Sequence, residues 1–300
     1  MARSLLDCKS DIIETRWLAP NAQFLCNGKE VEDGKMWETR KQRLSFKAFS
    51  LFDCHVHVGS WRTQEFLGRA TTLQETCDVL VKCGVTGALV MPTDARENNA
   101  LLEQVNLHKG EPALLFCAWI DPKDGEILDF VVKNLRDIYA FKIHPSFSRL
   151  PVNDESFFPF LEIAQAYSLP VVVHCGRWRE VAGYEHVLDV AKRFHRVNFV
   201  LSHMGGDSPR LVLGAAEEIL SHGLENCFLG TESIREYWLI EKVIRLLGAE
   251  RLIFGSDYNL NHPKTFIATI EVLDVTKEEK AMIFGKNAMS LFVKKEARLA

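Results

Sequence analysis

The sequence predicts an α/β protein, a (β/α)8 TIM barrel with an N-terminal extension. Three observations carry this. The 300 residues suit one large α/β domain. From Leu51 onward, short apolar runs alternate with longer amphipathic stretches. This rhythm repeats about eight times over about 240 residues, which is the size of such a barrel. A doubly wound open sheet is the alternative, weakened because no Gly-rich phosphate loop follows the first strand.

The strand candidates are "LFDCHVHV", "VTGALVMP", "ALLFCAWIDP", "YAFKIHP", "LPVVVHCG", "VNFVLSHMGG", "NCFLGTES" and "RLIFGSDY". Their Val, Ile, Leu and Phe content suits parallel strands buried on both faces. Helical patterns lie between them. "TTLQETCDVLVKCG" has a Thr cap and stops at Gly84. "DGEILDFVVKNLRD", "DESFFPFLEIAQAYS", "EHVLDVAKRFHR", "SPRLVLGAAEEILSHG" and "REYWLIEKVIRLLGA" follow, with Pro159 placed in a first turn. "TKEEKAMIFGKNAMSLF" reads as a charged turn and then an amphipathic helix. Residues 1–50 fall outside the rhythm. Their Asn-Gly and Asp-Gly pairs are turn signals; the segment reads as an extension with a helix and a small hairpin, and residues 51–300 as the barrel with its C-terminal helix.

Composition narrows the function classes. Net charge is -4 without long runs of one sign, so neither nucleic acid nor an anionic membrane surface is expected as a partner. No window reaches the about 20 apolar residues of a membrane span. None of the 8 cysteines forms a C-x-x-C pair, and most sit in apolar surroundings. Buried free thiols in a reducing cytoplasm are the reading. A homodimer stays open.

The strand ends carry the chemistry. The first ends in His55-x-His57, the fourth in Lys142-x-His144, the fifth in His174, the sixth in His203 and the eighth in Asp257. His55 and His57 are two residues apart and so share a strand face. Singly, each residue has an ordinary explanation: a hydrogen-bonded core histidine, a lysine reaching solvent, an aspartate capping a turn. Jointly, imidazoles, an ammonium and a carboxylate converging in an apolar barrel mouth are costly without a partner, and a divalent cation is one solution. For His55 and Asp257 to share an ion, the first strand must lie beside the eighth. His57 and Asp257 should then bring ligand atoms within about 5–6 Å.

The order H-x-H, K-x-H, "VVVHCG", "SHMGG", "IFGSDY" resembles the amidohydrolase superfamily. More closely it resembles the amidohydrolase-2 branch, the relatives of aminocarboxymuconate semialdehyde decarboxylase and of several lactone hydrolases. The likeness runs from about Leu51 to Val293 and includes the closing "EEKAMIFGKNAMSLF". It implies one metal ion, zinc or manganese, with His55, His57, His174 and Asp257 as ligands. It makes His203 the catalytic, oxyanion-steadying histidine and Asp257 the proton shuttle for a metal-activated water. Binuclear members carboxylate a lysine on the fourth strand. Lys142 lies on that strand, so two metals remain the alternative to the single ion favoured here. In the single-ion reading Lys142 is a buried cation near the site and His144 touches the substrate or stands behind the site.

Weaker candidates follow from position. Arg177, and Arg179 beside Trp178, come just after His174 and suit a substrate carboxylate. Trp61 and Arg62 follow H-x-H and suit the mouth, Asp94 and Arg96 follow the second strand, and Ser146 to Asp154 suit a partial lid. The leading function is hydrolysis of a small-molecule carboxylic ester, lactone or amide. Non-oxidative decarboxylation of an unsaturated or aromatic acid is the second reading, and a non-catalytic ligand-binding barrel the third.

Overall fold

A computed structural model describes residues 25–26, 29–30, 50–176 and 178–293. Eight parallel strands form the barrel: β1 (Phe52–Ser60), β2 (Gly87–Pro92), β3 (Ala113–Ile120), β4 (Ile138–Ile143), β5 (Val171–Val173), β6 (Phe199–Leu201), β7 (Cys227–Gly230) and β8 (Leu252–Ile253). Each pairs with the next in chain order. The short strand Ala70–Thr71 adds antiparallel to the end of β1.

The seam between β1 and the chain after β8 closes the ring. Cys54 N donates to the Phe254 carbonyl at 2.9 Å, Asp257 N to the His55 carbonyl at 3.0 Å, and His57 N to the Tyr258 carbonyl. Closure places Asp257 beside the H-x-H strand, as the shared-ion reading requires.

Helices follow every strand: α1 (Leu73–Lys82), α2 (Asn98–Leu107), α3 (Ile127–Asn134), α4 (Phe158–Tyr167), α5 (Tyr184–Arg193), α6 (Pro209–Ser221), α7 (Tyr237–Leu247) and α8 (Pro263–Glu271). A capping box between Thr72 and Glu75 starts α1, and Pro159 lies in the first turn of α4. Helices α2 and α8 were not legible as separate elements. Each still buries an apolar face, Leu101 and Leu102 in α2 and Phe266, Ile267 and Ile270 in α8.

The "TKEEK" segment is a helix rather than a turn. Thr276 and Glu279 cap each other reciprocally, starting Lys277–Ala281. The chain continues through a π turn (Met282–Lys286) into α9 (Asn287–Phe292). Asn287 fixes this end by donating to the Ala249 and Leu252 carbonyls at 2.8 and 2.7 Å.

Within the N-terminal extension, Leu25–Cys26 pairs antiparallel with Lys29–Glu30. The rest of residues 1–49, including the expected helix, lies outside the described residues.

Candidate active site

The parallel strands all deliver their C-terminal ends to one mouth, and the ligand-type residues collect there. A register shift between Asp53 and Val56 marks a bulge in β1 beside His55. His55 Nε2 and His57 Nε2 face each other at 3.1 Å. Asp257 Oδ1 stands 3.7 Å from the first and 3.6 Å from the second. All three residues are buried.

Hydrogen bonds decide which nitrogen each ring shows. His55 Nδ1 donates to Glu232 Oε1 at 2.8 Å. His57 Nδ1 donates to the Pro92 carbonyl at 3.3 Å. Both Nε2 atoms are therefore unprotonated in the neutral rings, and their lone pairs face each other and a carboxylate oxygen. Burial first, then neighbouring positive groups including Lys142, holds both imidazoles well below the usual histidine pKa. Neutral imidazole is the form that binds metal. Burial, reinforced by Glu232, pushes the Asp257 carboxyl up to about 7, so a cation beside it is what favours its ionised form.

These residues fit a metal ion. Atoms about 2.0–2.1 Å from a tetrahedral centre are roughly 3.3–3.4 Å apart, close to the spacings observed. Two imidazoles and a carboxylate suit zinc or a similar first-row ion.

Asp257 Oδ2 has its own partners. Ser233 Oγ donates to it at 3.0 Å, and Asn261 Nδ2 lies 3.4 Å from it and 2.9 Å from Ser233 Oγ. Oδ1 is thereby left to the ligand group.

His174 and His203 form a separate pair. His203 Nδ1 donates to the Glu232 carbonyl at 3.2 Å, so His174 Nδ1 donates to His203 Nε2 across 3.1 Å. His174 lies outside the three-ligand group and stacks on His144, ring centres 3.9 Å apart. His203 and Met204 adopt left-handed backbone, φ 56° and 52°. Gly205 and Gly206 follow for want of space: a Cβ would sit 2.6 Å from Ala215 Cβ and 2.3 Å from Leu211 Cβ respectively.

The remaining expected site residues take other places. Lys142 is fully buried, with Nζ 3.3 Å from His55 Nε2 and 3.5 Å from Ser202 Oγ. Burial lowers its pKa, and the negative Glu232 and Asp257 oppose that. His144 is sandwiched between Trp119 and His174. Trp61 packs its edge on His57 and donates from Nε1 to Asn259 Oδ1 at 2.7 Å. Arg177 lies outside the described residues. Arg179 pairs with Glu185, and Asp94 pairs with Arg96.

A cavity of about 360 Å³ opens over the ligand group, a size for a small molecule. His55, His57, His174, His203 and Asp257 line its floor, and Trp178, Asp207 and Arg235 line the upper wall. Trp61, Trp119 and Phe147 line a second cavity of about 480 Å³, along with Asp94 and Arg96.

The fold is a closed (β/α)8 barrel, and two imidazoles and a carboxylate that could hold a metal ion converge at its C-terminal mouth. The chain belongs to the amidohydrolase family, in its second branch: the family model matches residues 52–293. No curated protein matches the chain by sequence.

Solved structures share the fold. The 5-carboxyvanillate decarboxylase of Sphingomonas paucimobilis is 16% identical, covering 82% of this chain and 99% of its own, with TM-score 0.63. A dihydroxybenzoic acid decarboxylase of Polaromonas with bound manganese and the inhibitor 2-nitroresorcinol is 14% identical, covering 83% and 98%, with TM-score 0.64. A Pseudomonas putida protein assigned as a 2-pyrone-4,6-dicarboxylic acid hydrolase is 16% identical, covering 82% and 99%, with TM-score 0.65. Among the described residues no helix is long and apolar enough to cross a membrane.

Proposed function

We propose that the protein is a metal-dependent hydrolase of a small-molecule carboxylic ester, lactone or amide. The observation that supports it is the convergence of His55 Nε2, His57 Nε2 and Asp257 Oδ1 at the floor of the cavity. These three hold one divalent ion, zinc by preference and manganese as the alternative, and His174 is the proposed fourth ligand. A bound ion would supply Lewis acidity at the cavity floor and would bring the pKa of water there toward neutrality.

The chain's own residues do the rest. Asp257 takes the proton of the attacking water and returns it to the leaving oxygen or nitrogen as the carbonyl carbon's bond to that atom breaks. Ser233 and Asn261 keep its carboxylate aimed during both transfers. His203 carries its Nδ1 proton on the Glu232 carbonyl, which leaves Nε2 to exchange a proton with the substrate oxygen in place of His174. Lys142, His144 and Trp61 act from behind the cavity floor, where they support the rings that meet substrate.

The second reading is a non-oxidative decarboxylase. It is favoured by the fold neighbours that decarboxylate 5-carboxyvanillate and dihydroxybenzoic acid. In that reaction the proton goes to the carbon that loses carbon dioxide, with Asp257 as donor. A panel of lactones, esters and amides beside hydroxybenzoates and unsaturated acids separates the two. It is run on metal-stripped and zinc- or manganese-reloaded protein. Acid release without carbon dioxide, only after reloading, is the expected result. Metal-dependent carbon dioxide release would replace the hydrolase with the decarboxylase, and metal-independent turnover would overturn both.

A further inference from the structure

Glu232 belongs to no sequence motif of the site, yet its side chain and its main chain each contact a site histidine. It lies two residues beyond β7, after Thr231, and is fully buried. Its carboxylate accepts from His55 Nδ1, and its carbonyl accepts from His203 Nδ1. Its chain neighbour Ser233 donates to Asp257 Oδ2. Two glycines make room for the carboxylate: a Cβ on Gly230 would lie 2.3 Å from Glu232 Oε2, and one on Gly255 2.9 Å from it. A buried carboxylate with glycines cleared around it and one oxygen committed to an imidazole is not ordinary filling. Burying that charge is costly unless something uses it.

We propose that Glu232 is a positioning residue of the metal centre, fixing through His55 and His203 which nitrogen each ring presents to the cavity. This rests on the proposed metal site. Held by the carboxylate, His55 keeps its proton on Nδ1 and its lone pair on Nε2, beside those of His57 and Asp257. A carboxylate behind a ligating histidine also raises the basicity of the ring, and loss of such partners typically costs about 10–100-fold in metal affinity. The main-chain contact to His203 depends on the same local backbone, which the side-chain anchor steadies.

The test uses the full chain with Glu232→Met, which keeps the length but removes the acceptor, and Glu232→Gln, which keeps an acceptor oxygen. Zinc affinity of the metal-stripped proteins is measured by competition with a chelating dye, and melting temperature without metal is read alongside. The tautomer of His55 is followed in parallel by nitrogen-15 NMR, also without metal. Glu232→Met is expected to lose about 10–100-fold in zinc affinity and the Nδ1–H form of His55. Glu232→Gln is expected to recover most of both. Unchanged affinity and tautomer in Glu232→Met would overturn the proposal and leave a packing role, as would equal losses in the two variants. If Glu232→Met does not fold, the Glu232→Gln comparison decides: wild-type tautomer with near-wild-type affinity supports the proposal, and a lost tautomer overturns it. Should the wild type itself bind no zinc, the metal reading fails, while the tautomer still decides whether Glu232 sets the ring.

Discussion

The floor and the rim of the cavity are built on different principles. On the floor, His55, His57 and Asp257 are buried, start from strand ends or the closing seam, and each has a second atom tied to the protein. On the rim, Trp178, Asp207 and Arg235 stand exposed on loops. Arg149 lies over the Trp178 ring at 4.5 Å, a contact between two exposed side chains. The floor is held to a geometry before any ligand arrives, as chemistry needs. The rim is free to vary, as selectivity among substrates needs. Changes on the floor should therefore act on metal and turnover, and changes on the rim on apparent affinity.

Breaking the floor outright has the largest expected effect. Stripping the metal with a chelator, or His57→Ala, should lower turnover on the order of 10³-fold or more, several kcal/mol of transition-state stabilisation. Readdition of zinc should restore the stripped wild type only. Next comes His203→Asn, expected to keep fold and metal while kcat and kcat/KM fall together by on the order of 10²–10³. Metal content, melting temperature and rate on one preparation check it. Lower stability with normal turnover would make His203 structural, and loss of metal would make it a ligand. Ser233→Ala removes one hydrogen bond from Asp257 and should cost about 1 kcal/mol, roughly fivefold in kcat, with metal retained.

On the rim, Arg235→Gln should raise KM about two- to fivefold for substrates bearing a carboxylate and leave neutral esters unchanged. A fall in kcat for both kinds would move Arg235 onto the floor's side of the comparison. The smallest effect concerns thiols. Burial pushes the Cys227 thiol up to about 12 and raises Cys117 and Cys175 above the ordinary range. Native protein should leave all three unmodified by a thiol reagent, with partly exposed Cys83 reacting ahead of them.

The same divide governs what the sequence made legible. Alternation of apolar runs and amphipathic stretches is a direct consequence of burying strands between helices, so the barrel could be read. His55, His57 and Asp257 could be read because chemistry in this fold collects at strand ends. Helix α2 was missed because its polar opening, Asn98-Asn99, hides the Leu101–Leu102 face. Glu232 was missed because a single acidic residue at the polar end of the strand candidate "NCFLGTES" carries no ligand pattern of its own. Its signal was position: it lies two residues beyond the seventh strand, and the ends of other strands had already yielded ligand-type residues. The partner of His174 depends on ring orientation, which spacing does not encode. The rim was illegible because loop selectivity has no periodic code.

The proposed joint hold of His55, His57 and Asp257 on a divalent ion is open to direct measurement. Elemental analysis of zinc-reconstituted protein after gel filtration tests it most directly, run on the wild type beside Asp257→Ala. About one ion per chain in the wild type and a large loss in Asp257→Ala at unchanged folding are the expected results. No ion in the wild type, or the same content in both proteins, would contradict it.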